Sequence, residues 1–189
     1  MHITEMQSML NFYAWARTLL VSTLLFIVAP LAVADALTLG EAERIQLLGL
    51  ETLQGEQLKT TDFENKAVII TFFASWCPPC LDEFHDLNTI AKEYQDSALT
   101  IIAINVFEEF DNNDKIRMSR FLDNTQPQFS VVKGNARVKQ MFGDVQRIPT
   151  LLVFDRGGNS VMHFIHARGA KKRSVTDSEL RIALSRALK

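Results

Sequence analysis

Cys77 and Cys80 are the only cysteines in the 189-residue chain, and they stand two residues apart in Trp76-Cys77-Pro78-Pro79-Cys80. A pair this close can pass between dithiol and disulfide. Two thiolates fall short of a four-ligand structural zinc site, and neither a His-x-x-x-His nor a second Cys-x-x-Cys is present to complete one. Two cysteines are also too few for the stapled framework of a small secreted domain. Thiol redox chemistry is the reading that remains, and it needs no metal or added cofactor, because the disulfide itself stores the two electrons.

The flanking residues make the two sulfurs unequal. The run Ala67 to Ala74, AVIITFFA, has the unbroken apolar character of a strand buried on both faces. After the cysteines, Phe84, Leu87, Ala91 and Tyr94 recur at helical spacing, which predicts a helix ending near Gln95. Cys77 is therefore expected at the exposed N-terminus of that helix and Cys80 about one turn inside. The positive end of the helix dipole favours a Cys77 thiolate, and the sheltered Cys80 can attack a mixed disulfide formed at Cys77. Pro78 and Pro79 have no N–H to offer that thiolate. A less stabilised thiolate makes a more reducing couple, so a reductase is favoured over an oxidase or isomerase.

The rest of the chain alternates strands and helices, which predicts an α/β domain. Gly55, between Leu53 and Leu58, suggests a hairpin turn, and Thr61-Asp62-Phe63 a single helical turn. Strands are predicted at 99–107, 130–133, 150–154 and 160–165, with helices around 116–122 and 136–142. Asp155-Arg156-Gly157-Gly158-Asn159 is suited to turn an antiparallel hairpin. Thr176-Asp177-Ser178-Glu179 has capping-box spacing and opens a last helix that carries Leu180, Ala183, Leu184 and Ala187 on one face.

A hydrophobic content of 47% suits one core, and a net charge of -2 gives no basic field for nucleic acid. The basic run Arg168 to Arg173 contains Gly169 and Ala170 and reads as a solvated loop without assigned function. Leu19 to Ala34 is an apolar run preceded by Arg17 and closed by Ala32-Val33-Ala34, the order of a signal peptide cleaved before Asp35. Spanning a bilayer takes about 20 apolar residues. Residues 1–34 are thus expected to be a leader, the alternative being a retained anchor, and 35–189 the exported domain. The domain contacts the membrane only if the leader stays.

The stretch Thr71-Phe72-Phe73-Ala74-Ser75-Trp76-Cys77-Pro78-Pro79-Cys80 resembles the active site of the thioredoxin superfamily, in particular its TlpA/ResA-like extracytoplasmic branch. Glu83, Ile148-Pro149-Thr150 and Asp155 to Gly158 match as well, and the resemblance covers roughly residues 48–188. It implies a thioredoxin fold, a mixed central sheet flanked by helices, with the strand-helix insertion of that branch filling the 72 positions from Cys77 to Pro149. It implies a cis peptide before Pro149, with Ile148 beside it where partner peptides bind, and a Trp76 ring covering the disulfide. It also implies periplasmic protein thiols and disulfides as partners and a membrane-bound thiol electron donor.

Plain thioredoxins carry a buried Asp where Thr71 stands, and Thr71 has no titratable group. That makes Glu83, one turn beyond Cys80 and expected near the surface, the better candidate to exchange a proton with Cys80; the alternative is an ordinary solvated glutamate. His85 stands where the family usually has proline. It reads as a solvent-facing residue, or else as a pH-sensitive neighbour of the site or as a third ligand with the cysteines in a copper-binding or delivery module. His163 and His166 read as structural or exposed. Cytochrome c maturation is a role open to this branch, although Arg147-Ile148-Pro149-Thr150 lacks the Gly/Ala-Pro-Glu form of dedicated maturation proteins.

Overall fold

In the computed structural model, which describes residues 37–95, 98–109 and 113–189, every residue of β2 (Ala67–Phe73) is buried. A strand with no polar face must be covered on both sides and paired along both edges. It pairs in parallel with β3 (Leu99–Asn105) and antiparallel with β5 (Thr150–Phe154). Outward from these, β4 (Ser130–Lys133) runs parallel to β3, while β6 (Ser160–Ile165) runs antiparallel to β5. A short β1 (Thr52–Gln54) closes one edge antiparallel to β4, giving a mixed sheet in the order β1-β4-β3-β2-β5-β6.

Five helices flank the described sheet: α1 (Glu41–Leu48), α2 (Pro78–Glu93), α3 (Asp114–Thr125), α4 (Ala136–Met141) and α5 (Asp177–Ala187). Successive residues of a strand face opposite ways, so Phe72 and Phe73 anchor two cores. Phe73 lies 4.7 Å from Phe84 of α2 and 5.2 Å from Phe121 of α3, and Phe84 also meets Phe129 at 5.4 Å. On the other face Phe72 meets Phe142 at 5.8 Å, and Phe142 meets Phe154. The interval from Cys77 to Pro149 holds α2, β3, α3, β4 and α4.

Two local expectations change. Gly55 does not turn a hairpin, since β1 finds its partner in the distant β4. Gly55 has φ 86°, and a Cβ there would stand 3.1 Å from the Phe129 carbonyl oxygen, so the glycine lets the chain pass close to the start of β4. Helix α1 has no counterpart in the sequence reading: it buries Leu47 alone, too narrow an apolar face to leave a periodic signal. The predicted helix around 116–122 extends to Asp114 and Thr125. The capping box of α5 is formed, with Thr176 N–H donating to Glu179 Oε2 at 3.0 Å.

Phe84 joins α2 to both β2 and α3, so Phe84→Ala should cost about 3–5 kcal/mol in denaturant unfolding. The exposed Ile45→Ala should change stability by no more than about 0.5 kcal/mol.

Candidate active site

The buried β2 delivers the chain at Phe73 to a short turn, and Cys77 follows as the N-cap of α2 in extended conformation. A helix start leaves four amides without intrahelical acceptors. Here each is accounted for without reaching a sulfur. Cys77 N–H donates to the Ala74 carbonyl at 3.1 Å, Pro78 and Pro79 have no N–H, and Cys80 N–H donates to the Cys77 carbonyl at 3.1 Å. Leu81 N–H turns to that carbonyl as well, at 3.3 Å. The two cysteines form a disulfide. Cys80 is 0% exposed and Cys77 4%, and Cys77 lines the grooves on both sides of Trp76, so a partner sulfur can meet Cys77 alone.

Glu83 is not near the surface. It is 2% exposed, because the i, i+3 relation to Cys80 puts it on the inward face of α2. Thr71, on the same face of β2 as Phe73, donates its hydroxyl to Glu83 Oε1. Among the described residues Glu83 Oε2 has no hydrogen-bond partner. Burial pushes the carboxyl from its ordinary 4.5 up to about 7; the Thr71 hydrogen bond opposes the rise and the charge of Asp86 adds to it. Thr71 thus has a part in the site after all: it holds the acid that the sequence reading set in its place.

Around the sulfurs, the Ile148–Pro149 peptide is cis and both residues are buried, with Ile148 lining the same groove as Cys77. Trp76 is 44% exposed and donates its Nε1–H to the Phe107 carbonyl at 2.8 Å, a bond that fixes the ring between the two grooves. Glu108 had no place in the sequence reading of the site. Its carboxylate accepts from Ser75 N–H and Asn105 Nδ2 at 2.9 Å each, and from the Ser75 hydroxyl, with Arg117 at 3.9 Å. It ties the turn before Cys77 to the end of β3. The signal for it was an acid just past the C-terminal end of a buried strand, the usual rim of a site in parallel sheets.

His85 lies exposed on α2, and among the described residues no three His, Cys, Asp or Glu side chains gather in a group able to hold a metal. His166, read as structural or exposed, is half-buried against the cis peptide: its Nδ1 lies 3.1 Å from the Ile148 carbonyl, and its N–H donates to the Pro149 carbonyl at 3.1 Å. A carbonyl only accepts, so Nδ1 carries the proton in that bond. The leader read at residues 1–34 lies outside the described residues.

A disulfide at the N-terminus of the helix that follows the central strand, beside a cis-proline loop in this sheet order, defines a thiol-disulfide oxidoreductase of thioredoxin fold. The chain belongs to the redoxin family, whose model matches residues 35–180. It is similar to the thiol-disulfide oxidoreductase ResA of Halalkalibacterium halodurans, 28% identical over 68% of this chain and 69% of that protein. It is also similar to the thioredoxin-like protein YneN of Bacillus subtilis, 27% identical over 71% and 76%. Among solved structures, a thiol:disulfide interchange protein of the thioredoxin family from Chlorobium tepidum superposes with a TM-score of 0.60 at 22% identity, over 74% of this chain and 91% of that one. With these relatives the chain is a redox enzyme of the TlpA/ResA-like branch.

The raised Glu83 value has a consequence for stability. The folded protein holds the Glu83 proton up to about pH 7, whereas the unfolded chain releases it near 4.5. Between those limits the native state binds more protons, so stability is full below about pH 4.5 and falls as pH rises through 7, by on the order of 3 kcal/mol. Glu83→Gln should remove that decline, seen as a smaller loss of midpoint between pH 5 and 8 in urea unfolding of the oxidised protein.

Proposed function

We propose that this enzyme reduces disulfides of exported proteins outside the cytoplasm, with Cys77 as nucleophile and Cys80 as resolving thiol. The Cys77 thiolate attacks one sulfur of the substrate disulfide, forms a mixed disulfide and releases the other sulfur as thiolate. Cys80 then loses its proton, attacks Cys77 Sγ and releases the second substrate thiolate. Two electrons leave the enzyme, two protons complete the substrate thiols, and the Cys77 to Cys80 disulfide remains. A dithiol donor must reduce it again, and a membrane-bound one suits an exported enzyme. The leader pattern at residues 19–34 supports export, and the similarity to ResA supports the exchange chemistry.

The observation that carries the reducing direction is the absence of any first-turn amide available to Cys77 Sγ. A thiolate without those donors is held less strongly, which favours the disulfide and lowers the potential. Glu83, with a carboxyl that titrates near neutrality, is the group proposed to take the Cys80 proton in the resolving step. Trp76 is proposed to shield the sulfurs, and Ile148 with Pro149 to line the seat of the partner chain.

Equilibration with glutathione or dithiothreitol should give a potential nearer roughly −270 mV than roughly −120 mV. Pro79→His restores an N–H at the second helical position and should make the couple more oxidising; a wild-type value near the upper figure would reject the reductase reading. Cys80→Ala should accumulate mixed disulfides at Cys77 with exported proteins. Glu83→Gln should slow resolution by about 10-fold to 100-fold and flatten its pH profile near 7.

A further inference from the structure

The two grooves that meet at Cys77 differ in charge from the rest of the molecule. The chain carries a net charge of -2, yet among the described residues no Asp or Glu lines either groove. On the cis-peptide side, a cavity of about 810 Å³ is lined by Arg147, Arg168 and His166 along with Ile148 and Cys77. On the other side of Trp76, Arg117 and Arg120 stand beside Cys77.

Two acids beside the grooves already have partners, one of which, Gln146, itself lines the cis-peptide groove. Glu108 holds Ser75, Asn105 and Arg117, and Asp144 Oδ1 accepts from Gln146 Nε2 at 2.8 Å. Within the basic run that had no assigned function, Lys172 is paired with Glu179 at 2.5 Å. Arg168 is not: it sits with Gly169 in a turn that opens onto the groove, and Gly169 takes φ 77° there. Arg147 immediately precedes the Ile148–Pro149 peptide and is exposed. Among the described residues neither Arg147 nor Arg168 is in an ion pair.

We propose that Arg147 and Arg168 select partner polypeptides that carry carboxylates close to the reacting disulfide. The inference rests on the exchange reading above and adds the class of substrate to it. An extended partner segment whose sulfur reaches Cys77 from the cis-peptide side must pass these two guanidinium groups. Aspartate or glutamate side chains flanking its cysteine meet opposite charge there, and lysine or arginine meets like charge. Such cations on an otherwise acidic molecule also steer acidic partners toward the sulfur during encounter.

The test uses the reduced protein and three peptide disulfides of one sequence, with aspartate, asparagine or lysine beside the cysteine. Each rate is divided by that of uncharged dithiothreitol with the same peptide, which removes the effect of the flanks on the peptide's own sulfur. The acidic peptide should react roughly 5-fold to 30-fold faster than the neutral one at low salt, with the lysine peptide slowest, and the ratio should shrink toward 1 near 0.5 M salt as screening grows. In Arg147→Gln/Arg168→Gln the ratio should fall to within about 2-fold, while Arg186→Gln/Lys92→Gln, the same loss of two charges on α5 and at the far end of α2, should keep it. Equal normalised rates for all three peptides, or a preference that survives in the double variant, would overturn the inference and leave the exchange reading standing. No reduction of any peptide would instead overturn the exchange reading.

Discussion

The start of α2 is where the strongest constraint in this protein acts. A helix N-terminus is ordinarily a cluster of unused N–H donors that would stabilise an anion placed upon it. Here two consecutive prolines remove two of those donors, the N-cap amide is spent on the Ala74 carbonyl, and the Cys80 amide on the Cys77 carbonyl. What remains for Cys77 is the diffuse field of the helix rather than directed hydrogen bonds. The prolines also fix φ at the first helical positions, so the turn that spaces the sulfurs is rigid without extra contacts. The proposed reducing direction rests on this local geometry, and the geometry needs a helix that starts where β2 ends.

Everything around that junction keeps it in place. The buried β2 sets the height of the turn, and the Phe73, Phe84 and Phe121 cluster fixes α2 against the sheet. Glu108 clamps Ser75, and the Phe107 carbonyl holds the Trp76 ring, so both residues before Cys77 are tied to the end of β3. The same packing traps Glu83. A carboxyl so deeply buried is costly to ionise, and the single hydroxyl of Thr71 offsets only part of that cost. The protein carries this destabilising group one turn from Cys80, where a proton acceptor of near-neutral affinity would have chemical use in the proposed resolving step.

The cis-peptide loop and the segment after β6 complete the mouth. His166 donates its N–H to the Pro149 carbonyl and sets its ring against the Ile148 carbonyl, so two hydrogen bonds tie the end of the last strand to the cis loop. Beyond His166 the chain turns at Arg168 and Gly169 over the groove before α5 begins. A region that looked like a solvated basic loop is therefore part of the wall facing Cys77. Its charge contrasts with the acidic balance of the whole chain, which is a property of place rather than of composition.

Local signals carried much of this protein in its sequence. The paired cysteines defined the chemistry, the unbroken apolar run of β2 and the helical stripe of α2 defined their setting, and the capping box at Thr176 and the turn at Asp155 to Asn159 marked two element boundaries. Each depends on residues close in the chain, where periodicity and backbone chemistry act directly. Tertiary structure alone decided the rest. Gly55 looked like a hairpin turn until β1 paired with β4, and Glu83 looked solvated because burial on α2 depends on what the sheet brings against it. Glu108, His166 and Arg168 carried no motif: they come to the turn before Cys77 and to the groove beside it from just past the ends of β3 and β6, segments separated from Cys77 by tens of residues. Burial, charge environment and proton affinity are set by such distant neighbours, and their proximity arises only when the strands assemble in the order the sheet requires.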